Sequence, residues 1–233
     1  MTTYKLWYWA EIQGRGEFVR LAMEAGDIAY VDMARERGSD ALIADMEARE
    51  HRPPFAPPYL DTGTQVIAQV ANILLYLGER HRIAPSDEAG RRWLHEVQLT
   101  ITDFIAEVHQ VHHPVGTGLY YEDQRPEAAR FAEEFREKRM PKFLGWFERS
   151  VEGEWLTGNR WSYGDTSIFQ LIEGLHYMFP KRMKAIEGAY PKLIAIRDRV
   201  AQLPGIHDYC ASDRRIGFNT DGIFRHYPEL DAA

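Results

Sequence analysis

Aromatic and apolar residues crowd residues 4–9, Tyr4-Lys5-Leu6-Trp7-Tyr8-Trp9, before Gly14-Arg15-Gly16 breaks the run. Such side chains suit a pleated, half-buried surface, so the segment reads as a strand. Over 17–25 the apolar positions fall at Phe18, Leu21, Ala22 and Ala25, the spacing of one helical face. Residues 28–33 read as a second strand, and Ser39 as the N-cap of a helix over 41–50, rich in alanine, leucine and methionine. Prolines 53, 54, 57 and 58 exclude helix there. Pro57-Pro58 is an X-Pro bond, the type in which cis peptides are almost wholly confined. A short strand at Tyr59-Leu60, a turn over 61–64 and a returning strand over 65–68 predict a hairpin. A helix over 70–78 closes the unit. The order is βαβ, then αββα.

The pattern changes after a linker at 83–87. Residues 91–112 carry Leu94, Val97, Ile101, Phe104 and Val108 on one helical face. A further helix starts near Pro126 and runs to about residue 150, with Pro141 kinking it. Trp155 to Trp161 reads as a loop turning at Gly158-Asn159. Ser162-Tyr163-Gly164-Asp165 has the spacing of an acidic capping box, leading a helix over 168–179. Tyr190-Pro191 and Leu203-Pro204-Gly205 bracket one more helix, and 217–233 is a mixed aromatic tail. Two units follow: an α/β domain over 1–82 and an all-helical domain over 88–233.

Composition narrows the function. The 233 residues are 45% hydrophobic and 27% charged, ordinary for a globular chain. A net charge of −7 argues against general nucleic-acid binding. No apolar run reaches the roughly 20 residues that span a bilayer, so no membrane partner is expected. No basic segment precedes an apolar core at the start, so a cytoplasmic location is expected. The single cysteine, Cys210, excludes an intrachain disulfide and a cysteine metal cage, and reads as a buried structural thiol. Gly14-Arg15-Gly16 is no dinucleotide loop, because Val19 stands where the third glycine would be.

A carboxylate would find free N–H groups where the helix after Gln69 begins. That start, Gln69-Val70-Ala71-Asn72-Ile73, together with Tyr8-Trp9 before Gly14-Arg15-Gly16, Pro58-Tyr59-Leu60, and Leu156-Thr157-Gly158-Asn159 before Ser162-Tyr163-Gly164-Asp165, resembles the glutathione transferases. The opening is similar to their mu and pi classes. The likeness runs the whole chain in order. It implies a thioredoxin-like N-terminal domain, an all-α C-terminal domain and a homodimer. It also implies glutathione as co-substrate, whose sulfur attacks a small hydrophobic electrophile, and no metal.

By that resemblance Tyr8 stabilises the thiolate. A thiol with a pKa near ~8.5 is mostly protonated at neutral pH, and a phenol aimed at the sulfur favours the anion. This chain has one more residue between Tyr8 and the Gly-Arg turn than the mu or pi pattern. A backbone N–H of residues 10–13 is the alternative donor. Pro57 would present its carbonyl to the glutathione cysteine N–H as in a strand ladder. Gln69 and Val70 would hold the γ-glutamyl carboxylate, although Val70 replaces a serine and lacks its hydroxyl. Trp9 and Arg49, or His51 or Arg52 in place of Arg49, are candidates for the glycyl end. Asp103 either reaches the glutathione amino group or simply faces solvent. His113, Tyr120 and Phe218 are candidate walls of the electrophile pocket. His109, His112 and His113, spaced i, i+3 and i+4, share a helical face that suits metal, but no carboxylate or cysteine offers a fourth ligand. Two other functions fit the same residues: a non-catalytic ligand- or partner-binding relative, and another glutathione enzyme such as an isomerase or thiol transferase.

Overall fold

The computed structural model describes residues 3–233. Four strands, β1 (Tyr4–Trp7), β2 (Tyr30–Asp32), β3 (Tyr59–Asp61) and β4 (Val66–Ala68), form one sheet in the order β2-β1-β3-β4. β1 and β2 are parallel, which requires a crossover; α1 (Gly16–Ala25) supplies it. The β1–β3 and β3–β4 pairs are antiparallel. Register aligns Leu6, Leu60 and Ile67 on one face, where they meet α1 and α4 (Val70–His81) in the main core. Because side chains alternate along a strand, Trp7 and Tyr59 point the other way. They stack with centroids 6.1 Å apart and are covered by α2 (Met33–Arg37) and α3 (Ser39–Glu47).

Two expectations change here. Met33 does not extend the second strand but opens α2, which folds Met33 and Ala34 over Trp7. Ser39 does not cap α3. Gly38 holds the N-cap position at φ 88°, and the Ser39 hydroxyl bonds the Glu11 carboxylate instead, 3.1 Å away.

The remainder is helical: α5 (Glu88–Gln110), α6 (Arg125–Glu134), α7 (Met140–Ser150), α8 (Tyr163–Met178), α9 (Pro180–Ile186), α10 (Pro191–Ala201) and α11 (Pro204–Cys210). Leu94, Val97, Ile101, Phe104 and Val108 are buried, as their spacing predicts. The helix expected to kink at Pro141 is divided by a π-helical stretch, Phe135–Arg139, just before that proline. At the start of α8, Asp165 accepts the Ser162 N–H at 2.8 Å and its hydroxyl at 2.7 Å. Its other oxygen takes the Leu156 N–H at 2.8 Å. Burial lifts the Asp165 carboxyl to about 6 against the pull of those donors.

The aromatic tail is part of the core, with Ile223, Phe224 and Leu230 buried. Gly174 is what admits Phe224, since a Cβ there would lie 2.4 Å from its ring. Asp231 accepts the Lys181 and Arg182 N–H groups at the start of α9, 2.9 and 3.2 Å away. Cys210 is exposed, not buried, because Ile206 and Tyr209 take the inward face of α11. No helix among the described residues is long and apolar enough to cross a membrane.

Candidate active site

The end of β1 carries the chain into a turn that lies flat on a tyrosine. Gly14 has φ 44°, a conformation glycine tolerates best, and a Cβ on it would sit 2.0 Å from the Tyr8 hydroxyl. A Cβ on Gly16 would sit 2.5 Å from Cγ of the same ring. Two missing side chains thus let the backbone reach the phenol: the Arg15 N–H donates to Tyr8 Oη at 2.8 Å. That bond uses an acceptor lone pair and leaves the hydroxyl proton free to donate. Among the described residues no protein group accepts it. Burial raises the Tyr8 pKa, opposed by the Arg15 N–H and by the Arg15 and Arg20 charges, so the phenol stays neutral at pH 7.

Arg15 forms one wall of a cleft of about 280 Å³. The opposite wall is the loop Phe55, Ala56, Pro57 and Pro58, in which the Pro57-Pro58 bond is cis. Gln69 and Val70 bring the start of α4 to the same space. Gln69 has φ 71°, an uncommon conformation for a residue with a Cβ that costs about 1–3 kcal/mol and is concentrated at ligand clamps. It starts a twelve-residue helix, whose first N–H groups lack intrahelical partners and so suit an anion. The floor comes from α1 and α5: Phe18, Gln98, Ile101, Thr102 and Ile105.

The family model described as the glutathione S-transferase C-terminal domain matches residues 109–213. Glutathione S-transferase P 1 of Xenopus laevis is 24% identical over 221 residues, covering 92% of this chain and 95% of that protein. Glutathione S-transferase Mu 2 of Rattus norvegicus is 26% identical over 216 residues, covering 90% and 91%. The solved pi-class glutathione S-transferase of Onchocerca volvulus superposes with a TM-score of 0.72 at 20% identity, covering 94% of this chain and 99% of that one. Over residues 109–213 the chain matches the glutathione S-transferase C-terminal domain, and along most of its length it is similar to glutathione S-transferases. Its fold is accordingly a thioredoxin-like domain joined to an all-α domain.

Against that family pattern, Pro57, Gln69 and Val70 share the cleft, and Tyr8 lies directly beneath its Arg15 wall. The other candidate residues are elsewhere. Arg49 is committed to Asp45 at 2.7 Å and Asp61 at 3.2 Å, stacked over Tyr59 of the central strand β3. Its charge is already paired there, so it does not border the cleft. Trp9 is half-buried against the Trp7–Tyr59 cluster. Asp103 is exposed on α5 beside the cleft residue Thr102. Tyr120 is 79% exposed. Phe218 stacks on Tyr177 with centroids 4.9 Å apart, and His113 packs against His109 and His112. None of these last three borders the cleft, whose apolar surface comes from Phe18, Ile101 and Ile105. In the sequence these three are ordinary apolar positions of the amphipathic helices α1 and α5, and nothing marks which turn faces an opening. Arg15 carried a signal, an arginine held between two glycines.

A buried polar chain secures the turn from behind. The Gln13 side-chain amide donates to the Ile216 carbonyl, and its oxygen accepts from Gln170 at 2.8 Å. Glu17 accepts from Tyr209 at 2.9 Å, Arg215 at 2.8 Å and Arg20 at 3.2 Å, and Arg20 reaches Asp32 at 2.7 Å. Burial pulls the Arg20 pKa down, but Glu17 and Asp32 outweigh it and leave the guanidinium firmly charged.

Proposed function

We propose that the cleft binds glutathione, that Tyr8 stabilises its thiolate, and that the anion is transferred to a small hydrophobic electrophile. The observation that carries this reading is the Tyr8 hydroxyl, engaged by the Arg15 N–H at 2.8 Å as acceptor and with its own proton unspent. In this reading residues 1–82 hold the tripeptide and 88–233 shape the electrophile side. The Pro57 carbonyl pairs with the cysteine N–H. The turn at Gln69 and the Val70 N–H receive the γ-glutamyl carboxylate. Phe18, Ile101 and Ile105 give the electrophile an apolar surface, with Gln98 and Thr102 as polar anchors. The work is placed in the cytoplasm, where glutathione is abundant.

Calorimetry with glutathione, followed by a conjugation assay on a chlorinated aromatic, tests the reading. Saturable binding and turnover are expected. Absence of glutathione binding sinks the function; binding without turnover reassigns the chain to ligand binding.

The active form is proposed to be a homodimer. Phe55 is 93% exposed on the lip of the cleft, a large ring in water that a second copy would cover. Phe55→Ser is expected to shift the protein from dimer to monomer in sedimentation velocity. A wild-type monomer, or a variant that stays dimeric at the same concentration, removes this assignment.

A further inference from the structure

Beyond the glutathione reading, we propose that His109, His112 and His113 form a zinc site at the C-terminal end of α5, outside the cleft. The three imidazoles bring one ligand nitrogen each to within 4.8 Å of one another. His109 lies in the last turn of α5, and His112 and His113 follow in the turn just past its end, held back on it by the Val111, His112 and His113 N–H bonds to the last carbonyls.

The tautomer of His112 is set by its surroundings. Its Nε2 lies 2.8 Å from the Ile223 carbonyl, which can only accept, so the ring proton is on Nε2 and Nδ1 presents its lone pair to His113. A backbone carbonyl holding the outer N–H of a histidine is the usual support of a metal-binding imidazole. In the metal-free state that Nδ1 accepts from His113 Nδ1–H at 2.5 Å, a proton that a cation bound between the two rings would displace. The separation is shorter than an ordinary N–H···N contact, and an ion bound at about 2.0–2.1 Å to each nitrogen in tetrahedral geometry would hold them about 3.3 Å apart. The His109 ring stacks on His113, with centroids 4.8 Å apart, and supplies the third nitrogen by a side-chain rotation.

No carboxylate pairs with these three rings among the described residues, so the only competitor for their lone pairs among those residues is the His113 proton shared with His112. A donor set of imidazoles alone selects zinc, copper or nickel over magnesium or calcium. Three histidines with a fourth position left to water is an established zinc coordination. Arg225 is the opposing charge. Its guanidinium is tied to the Gly222 and Asp221 carbonyls at 2.8 and 3.1 Å, and its field weakens the site without filling it.

The test uses the full chain, stripped with a chelator and free of glutathione, which itself binds zinc. Zinc affinity is read by competition with a chromogenic chelator, and cobalt is used as a spectroscopic substitute. One zinc per chain is expected, with the visible bands of tetrahedral cobalt. His109→Ala and His113→Ala, at half-buried positions, are each expected to weaken zinc binding more than about tenfold, while exposed His207→Ala leaves it unchanged. Zinc binding that is absent in the wild type, or equally strong in the His109→Ala and His113→Ala variants, overturns the site. The cobalt spectrum of the wild type decides the matter even if a variant misfolds, since octahedral or missing bands also overturn it.

Discussion

Replacing Tyr8 by phenylalanine is expected to cut conjugation at pH 7 by about ten- to a hundredfold, and to leave much less of a deficit at pH 9.5. The size follows from the bond that is lost. A hydrogen bond to a charged group contributes about 1.5–3 kcal/mol, and one pKa unit corresponds to about 1.4 kcal/mol. The bound thiol therefore loses about one to two units of acidification. Near pH 7 the thiolate fraction falls by that factor. Above the pKa of free glutathione's thiol, near ~8.5, the sulfur ionises unaided and the two proteins converge. Burial keeps the Tyr8 phenol neutral through this range, so it remains a donor. A pH–rate profile of both proteins, with the thiolate absorbance of the binary complex, measures the effect. An unchanged rate at pH 7 would move the role to the Arg15 N–H or another group of the turn. A deficit of constant size at every pH would mean that the substitution damages the cleft rather than the acidity of the sulfur.

The largest loss of stability is expected from Glu17→Ala. The Glu17 carboxylate is fully buried and accepts from Tyr209, Arg215 and Arg20. Its removal strands two guanidinium groups. Arg20 keeps Asp32, whereas Arg215 keeps only the Gln170 oxygen at 3.0 Å. Breaking a buried pair by deleting one partner costs about 3–5 kcal/mol. For a chain of this size that lowers the melting temperature by about 6–20 °C. Glu17→Gln keeps an acceptor for the Tyr209 hydroxyl and should lose less. Thermal unfolding of the three proteins gives the answer. A loss below about 1 kcal/mol for the alanine variant would show that water reaches the cluster and screens it.

Much of the architecture can be read from the chain because local signals agree with the tertiary outcome. The aromatic run at β1, the prolines before β3 and the apolar spacing of α5 each specify their element without help from distant residues. The divergent calls depend on partners that sequence spacing does not reveal. Arg49 resembles a free cation beside a proline loop, yet Asp61, twelve residues on, claims it at the end of β3. Ser39 had the composition of a cap but found Glu11. Tyr120 and Phe218 are aromatic residues near the expected pocket, yet one is left in solvent and the other pairs with Tyr177. The cleft motif at Gln69 and Val70 was legible because it is a backbone device, written in the order of strand, turn and helix.

The chain's final stretch sets a limit on how the protein can be engineered. Ile216 and Asn219 bond Gln13 and Glu11, next to the tyrosine turn, while Leu230 and Asp231 are buried against the helices. An affinity tag fused after Ala232 would hang in solvent, but trimming back to Arg215 would unfasten the loop that carries the Tyr8 turn without deleting any residue that borders the cleft.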